Sequence, residues 1–405
     1  MELRLKYGCN PNQPYATVTA PTHPDSSAGP PLTVLNGNPS MINLLDALRG
    51  WQLVRDLKAA TGLPAAASFK HVSPAGAAVA APGDEPGPAF CQAHLYPPPE
   101  GTPEFTWSPL ALAYAKARSS DRVASFGDFI ILSDPCDLPT AQLIKPEVSD
   151  GILAPGYAPD ALDLLKAKQG GNYRVLQIDP HLKPPATESR TVFGFTLEET
   201  YNDAAITPDL LDKTVTDNTD WPEHAITAML TITAALKHTQ SNSVAVGWDG
   251  QAVGIGAGQQ SRIACVRLAC DKADRFALKL HPKTIALVES FRPDVPRPTK
   301  VNLIDQFTRY PQLDDSEIAE LNAAVKSNPD PITADEAADW IQQMHGVCLS
   351  SDAFFPFKDN LDRAARSNVQ YVLQAGGSKR DDDVIAAANA HHMTMALSGL
   401  RLFLH

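Results

Sequence analysis

The chain has 405 residues, 43% hydrophobic and 20% charged, with a formal net charge of −12. That length predicts two or three packed units with ample core. The acidic balance excludes a protein that wraps nucleic acid, which needs a basic face, but leaves room for a small basic pocket holding an anionic metabolite.

No run of 18 apolar residues occurs, and the opening MELRLKYGCNPNQ lacks the apolar core of a signal peptide. No membrane partner is therefore expected, and the location reads as cytoplasmic. Cys9, Cys91, Cys136, Cys265, Cys270 and Cys348 are scattered without a C-x-x-C pair, so they read as reduced structural thiols. Prolines concentrate in loop-like stretches at 21–31 and 97–105.

In chain order, 32–40 reads as strand then turn. Residues 41–62 have helical apolar spacing and stop at Gly62. Residues 64–76 read as a short strand entering a Ser73-Pro74-Ala75-Gly76 loop, 110–119 as a helix, 123–133 as a buried strand and 173–179 as another. The second half repeats this alternation. A helix is expected at 222–238, then two strands joined by Trp248-Asp249-Gly250, a strong hairpin signal. A long helix follows at 259–280. Residues 283–344 are polar and Pro-punctuated and read as a helical insertion. Strands at 369–375 and 393–399 flank a helix containing DDDVIAAANAHH. The alternation argues for a layered α/β fold.

Four segments carry candidate chemistry. Gly254-Ile255-Gly256-Ala257-Gly258 lies between strand and helix, but its spacing is not that of a dinucleotide fingerprint; close backbone packing is the competing explanation. Lys70-His71 ends an apolar strand, where His suits proton transfer near neutrality and Lys supplies positive charge. Around GAGQQSR, the side chains of Asn242, Gln259, Gln260 and Arg262 could orient a heterocyclic carboxamide, or simply cap a helix. The Phe354-Phe355-Pro356-Phe357 run could line an aromatic slot with Asp359 accepting paired N–H donors; an aromatic core corner before a helix is the alternative. Zinc and serine-hydrolase motifs are missing, and adjacent His391 and His392 would point about 100° apart on a helix, so no metal is expected.

Taken in order, LKYGCNPNQ (5–13), VLNGNPSMIN, AAASFKHVSPAGAA, SFGDFIILSD, EVSDGILAPGY, TQSNSV, GIGAGQQSRIACVRLACDKA, SSDAFFPFKDN and LRLFLH resemble the AICAR transformylase domain of the bifunctional purine-biosynthesis enzyme across essentially the whole chain. AICAR is 5-aminoimidazole-4-carboxamide ribonucleotide. The resemblance implies two cytidine-deaminase-like α/β/α units: 1–185, and 186–282 plus 345–405, with 283–344 as a helical insertion. It also implies a chain without the IMP cyclohydrolase domain, and a homodimer with active sites at the subunit interface.

The activity implied is transfer of the formyl group of 10-formyltetrahydrofolate to the 5-amino group of AICAR. A monovalent cation such as potassium is compatible with the family. By position, His71 matches the base, while Lys70 and Asn242 match groups that steady the formyl oxygen. Lys6, Tyr7, Asn43, Gly127, Asp150, Arg262 and Arg401 match the nucleotide side, with Arg401 on the phosphate. Ile263, Phe354, Pro356 and Asp359 match the folate side. Two positions depart from the family: Lys6 replaces an Arg and Asn12 a His. Lys keeps the charge but loses the guanidinium fork. These departures motivate one alternative, a formyltransferase for a related amino-heterocycle nucleotide. The other, a non-catalytic folate- or nucleotide-binding module, is opposed by Lys70, His71 and Asn242, which binding alone would not need.

Overall fold

The computed structural model describes residues 2–21, 30–80 and 105–405. Cys91 and most of the two Pro-rich stretches lie outside the described residues. Strands β1 (Glu2–Arg4) and β2 (Thr17–Thr19) form a small antiparallel pair. The first half continues as β3 (Leu32–Asn36), α1 (Met41–Thr61), β4 (Ala65–Lys70), β5 (Ser73–Val79), α2 (Pro109–Ser119), β6 (Asp128–Leu132), α3 (Leu138–Ile144), β7 (Ser149–Ala154), α4 (Pro159–Lys166) and β8 (Arg174–Ile178). A solvent-facing hairpin, β9 (Thr187–Val192) and β10 (Phe195–Thr200), separates the halves. The second half runs α5 (Glu223–Lys237), β11 (Val244–Trp248), β12 (Gln251–Gly256) and α6 (Arg262–Leu278). Four helices follow: α7 (Pro282–Ser290), α8 (Arg297–Phe307), α9 (Asp315–Ala324) and α10 (Ala334–Ile341). The chain closes with β13 (Val347–Ser351), α11 (Asp359–Arg366), β14 (Val369–Gln374), α12 (Asp381–Ala390) and β15 (Thr394–Leu397).

Both halves share one 11-stranded sheet, ordered β15-β14-β13-β11-β12-β5-β4-β6-β7-β8-β3. The β11–β15 half repeats the β4–β8 half in order and direction, each with an antiparallel hairpin followed by three parallel strands. The two copies meet where β12 pairs with β5 at Gln251 and Ala78. No sequence repeat announces this duplication; it is structural only.

Strand alternation sorts the core into layers, because successive side chains face opposite sides of a sheet. Ala65, Ala67, Phe69, Phe129, Ile131, Ala245 and Ile255 face α1 and α5, forming one core across both halves. Ala66, Ile130, Ile152 and Val175 face α2 to α4, whereas Val244, Val246, Leu349 and Val372 face α6, α11 and α12. Helices α7 to α10 hold a separate core of Leu287, Phe291, Leu303, Phe307 and Leu321. The layered α/β fold with helices inserted between α6 and β13 is as the sequence suggests.

Three local expectations need correction. Ser73-Pro74-Ala75-Gly76 is strand, not loop: β5 pairs with β4 along its length. Pro74 is tolerated because it lies beside a register shift at Ser68/Phe69 and away from the β12 bridge. Gly76 is needed because a Cβ there would stand 2.1 Å from the Ala117 carbonyl oxygen of α2. The segment 123–127 is a turn, and β6 starts only at Asp128. The 259–280 helix starts at Arg262, where the Ser261 hydroxyl accepts from the Ala264 N–H.

The glycine run before α6 is a packing device. A Cβ on Gly256 would stand 2.2 Å from the Cys265 carbonyl oxygen, and one on Gly254 would stand 2.1 Å from that of Ala269. Since neither backbone can retreat, Gly256→Ala is expected to cost about 1–3 kcal/mol by overpacking. Urea unfolding of the variant measures it; an unchanged midpoint would show that strand and helix are not in that contact.

Candidate active site

Strand polarity puts most of the residues singled out in the sequence along one edge of the 11-stranded sheet. β4 and β12 end there, β6, β7 and β11 begin there, and β13 to β15 also end there. The end of β4 carries Lys70, and the starts of β6 and β7 carry Gly127 and Asp150. Asn242 precedes β11, and Arg262 follows β12. Phe354, Pro356 and Asp359 follow β13.

The first group surrounds the β4–β5 turn. Lys70 pairs with Ser73, leaving His71 and Val72 as a two-residue loop. Their φ values are 54° and 60°, the left-handed region that such hairpin loops usually fill with Asn-Gly. For a β-branched Val this is a genuine outlier. The loop is held by the buried Asp46 of α1, whose carboxylate accepts the Val72 N–H at 2.7 Å. His71 is consequently exposed at the edge. Burial raises the Asp46 carboxyl above its ordinary 3.8, against the opposing pull of the Val72 amide and His71.

Lys70 donates its ammonium to the Phe126 carbonyl in the turn before β6. Gly127, at φ 72°, brings that turn beside Asp150, and Asp150 accepts from Asn43 Nδ2 at 3.2 Å. Asn43 is the third residue of α1 and forms a reciprocal capping box with Ser40. Lys70, His71, Asn43, Gly127 and Asp150 therefore belong to one cluster. Asp46 was missed in the sequence; its signal was a carboxylate three residues after Asn43 on the otherwise apolar inner face of α1.

The second group surrounds Asp352, which is fully buried. Its carboxylate accepts from Ser241 Oγ at 2.8 Å and from the Ser243 amide and hydroxyl, both at 2.9 Å. The Arg262 guanidinium bonds Asp352, the Ser243 carbonyl at 2.8 Å and Asn242 Oδ1 at 2.9 Å. Asn242 Nδ2 in turn donates to the carbonyls of Gln259 at 3.1 Å and Gln260 at 3.3 Å. The C-terminal segment crosses this group, with Leu402 N donating to Asp352 O at 2.8 Å and Ser241 N to Leu404 O at 3.0 Å. Arg401 is exposed over the Phe403 ring. Arg49, Arg190, Lys237 and His238 share with it a cavity of about 570 Å³, where Glu188 pairs with Arg49, Glu199 also lines the wall, and burial lowers the His238 pKa. Those four residues were not singled out in the sequence.

The aromatic run divides its labour. Phe355 is core, while Phe354 and Phe357 face solvent beside the half-buried Pro356. Ile263 and Asp359 lie in the first turns of α6 and α11. Lys6 and Tyr7 lie just past β1, in a loop closed by hydrogen bonds between Gly8 and Gln13 and between Gln13 and Asn10; Lys6 is exposed near the Tyr7 ring. Among the described residues, no side-chain hydrogen bond joins the Lys70 group to the Asn242 group. β4 and β11 are three steps apart in the sheet, a lateral distance of about 14 Å.

A profile of the AICARFT/IMPCHase bienzyme family matches residues 1–272. The chain belongs to this family. Its relatives include proteins named bifunctional purine biosynthesis protein PurH. That of Rippkaea orientalis is 27% identical over 402 residues, covering 99% of this chain and 58% of its own length. Those of Magnetococcus marinus and Myxococcus xanthus are each 28% identical, covering 99% of this chain and 59% and 60% of their own lengths. The chain thus spans less than two thirds of each of these relatives. Among the described residues, no helix is long and apolar enough to cross a membrane, and no cluster of His, Cys, Asp or Glu could hold a metal.

The Asp46–Val72 contact yields a paired prediction. Asp46→Ala leaves the Val72 N–H without its acceptor and should cost about 1–3 kcal/mol. Asp46→Asn keeps an acceptor and should lose less. The raised carboxyl also binds its proton more tightly in the folded protein than in the unfolded chain. That contribution is complete below 3.8 and fades as pH climbs through the raised value, so the Asn variant should lack this acid-side trend. Thermal unfolding from pH 3 to 7 measures both effects, and equal losses in the two variants would refute the clamp.

Proposed function

We propose that the chain is a 10-formyltetrahydrofolate-dependent formyltransferase that acts on the 5-amino group of AICAR in purine biosynthesis. The observation that carries this reading is the exposed His71 on a strained, clamped turn beside the Lys70 ammonium, in a chain of this family. Residues held in sparsely populated backbone regions concentrate at working sites.

The acceptor amine is a weak nucleophile because its lone pair is delocalised toward the carboxamide. Its nitrogen bonds the formyl carbon, the carbon–N10 bond breaks, and one proton passes from the amine to the leaving nitrogen. His71 takes that proton as base and returns it as acid. Lys70 places positive charge where the formyl oxygen gains negative charge, and one such donor is typically worth about 2.7–4 kcal/mol. Asn242 serves the same oxygen by exchanging its longer bond, to the Gln260 carbonyl at 3.3 Å. Arg262 holds the Asn242 amide in orientation for this role. Asn43, Gly127 and Asp150 bind the nucleotide, and Lys6, Tyr7 and Arg401 take its phosphate end. Ile263, the exposed Phe354, Pro356 and Asp359 receive the folate.

In this reading the separation of the two groups is bridged by a homodimer, in which the Lys70 group of one chain faces the partner's Asn242 group. Mixed dimers test that arrangement. His71→Ala and Asn242→Ala are each expected to be nearly inactive alone. Co-refolded in equal amounts, they should recover about a quarter of wild-type turnover, because half the dimers carry one intact site. No recovery despite dimer formation would refute a shared site. Separately, His71→Ala should lower kcat about 10²–10⁴-fold with nucleotide Kd little changed. The altered Lys6 and Asn12 favour a second reading, a related amino-heterocycle acceptor; turnover only with such an amine would select it.

A further inference from the structure

The hydrogen bond that fixes the Lys70 ammonium leads away from the candidate site into the helical insertion. Its acceptor is the backbone carbonyl of Phe126, whose ring packs against the core of α7 to α10. The turn carrying Phe126 is also held from beneath. The Ser68 hydroxyl meets Ser125 Oγ at 2.8 Å and Asp128 Oδ2 at 2.5 Å. Arg118, almost wholly buried on α2, donates to Asp128 Oδ1 at 2.9 Å. It also donates to the Val148 carbonyl at 3.0 Å, the same carbonyl that Gly127 N–H meets at 3.1 Å.

Glu147 joins this frame to the insertion. Its Oε2 accepts from Arg118 at 3.1 Å, while Oε1 accepts from Arg122 at 3.0 Å and from Arg297 at 2.6 Å. Burial opposes its ionisation, yet Arg122, Arg118 and Arg297 together hold it well below the ordinary carboxylate range. Arg297 is the first residue of α8. The insertion therefore reaches the 126–128 turn twice, once through an aromatic ring and once through a buried ion network. Apart from Gly127, whose amide shares the Val148 carbonyl with Arg118, neither contact touches the nucleotide or folate residues named above.

We propose that the insertion is the positioning scaffold for Lys70, and that Phe126 and Arg297 are positioning residues for the transfer step. This rests on the formyl-transfer reading. The Phe126 ring fixes the height of the carbonyl that receives the ammonium, and Arg297 fixes Glu147 and through it Arg118 and Asp128. A small displacement of a catalytic group is enough to lower a rate strongly. A scaffold that supported only stability would leave the rate per folded molecule unchanged.

Full-length Phe126→Leu, Arg297→Met and Arg297→Lys are compared with Val384→Ala, a core truncation on α12 remote from this turn. Phe126→Leu retains most of the apolar volume, and Glu147 keeps two arginines in Arg297→Met, so both should fold. Each is expected to lower kcat about tenfold or more with nucleotide KM little changed. Arg297→Lys should restore most of the rate, and Val384→Ala should lower Tm without lowering kcat. Hydrogen exchange across 65–72 and 121–128 should quicken in the first two variants only. Wild-type kcat and wild-type exchange in both would overturn the proposal. If the wild-type protein fails to formylate AICAR while exchange at 65–72 still quickens, the coupling stands and the formyl-transfer reading falls.

Discussion

The exposure of His71 depends on a backbone that would not hold by itself. Two consecutive non-glycine residues at positive φ, one of them β-branched, oppose the usual preferences of L-residues. The Asp46 carboxylate beneath the Val72 N–H holds this turn at the cost of burying a charge-bearing group in α1. Because β4 and β5 pair up to Lys70 and Ser73, the sheet fixes where the turn begins, and α1 fixes how it is twisted. With the turn clamped, the imidazole reaches solvent and the lysine beside it meets the Phe126 carbonyl, while Asn43 and Asp150 close the side.

The duplicated sheet gives the two groups different characters. In the first half the edge receives the starts of the parallel strands β6 and β7. In the second it receives the ends of β13 to β15. The same architecture, rotated in the plane of the sheet, thus presents a turn-and-lysine group on one side. On the other it presents an Asp352-centred group crossed by the C-terminal segment. Their spacing is set by the β12–β5 seam, which no side-chain change can close. A reaction using both groups therefore calls for a large bound pair of substrates or a second chain.

The second group also shows how polar residues at a glycine turn divide between structure and chemistry. Ser261 caps α6, and Arg262 spends its donors on Asp352, Ser243 and Asn242. What faces outward is the surface carrying the exposed Phe354 and the half-buried Pro356, while the half-buried Asn242 amide is held by Arg262, Gln259 and Gln260. Gly254 and Gly256 let α6 lie directly on β12, so their work is steric.

Sequence alone determined the helices and strands with strong periodicity, the β11–β12 hairpin, the inserted helices, and the blocks that resemble one family. It also isolated Lys70-His71, Asn242 and the aromatic run, because unusual residues next to apolar strands are local signals. Only the tertiary structure decided that 73–76 is a strand, since small residues look loop-like until α2 is seen pressing on Gly76. Only it revealed the partners of the turn: Asp46 lies 26 positions from Val72, and Phe126 lies 56 from Lys70. Hydrophobic period reports which face of an element is buried; it carries no information on which distant carbonyl or carboxylate will meet a given N–H. That choice is made when the layers pack.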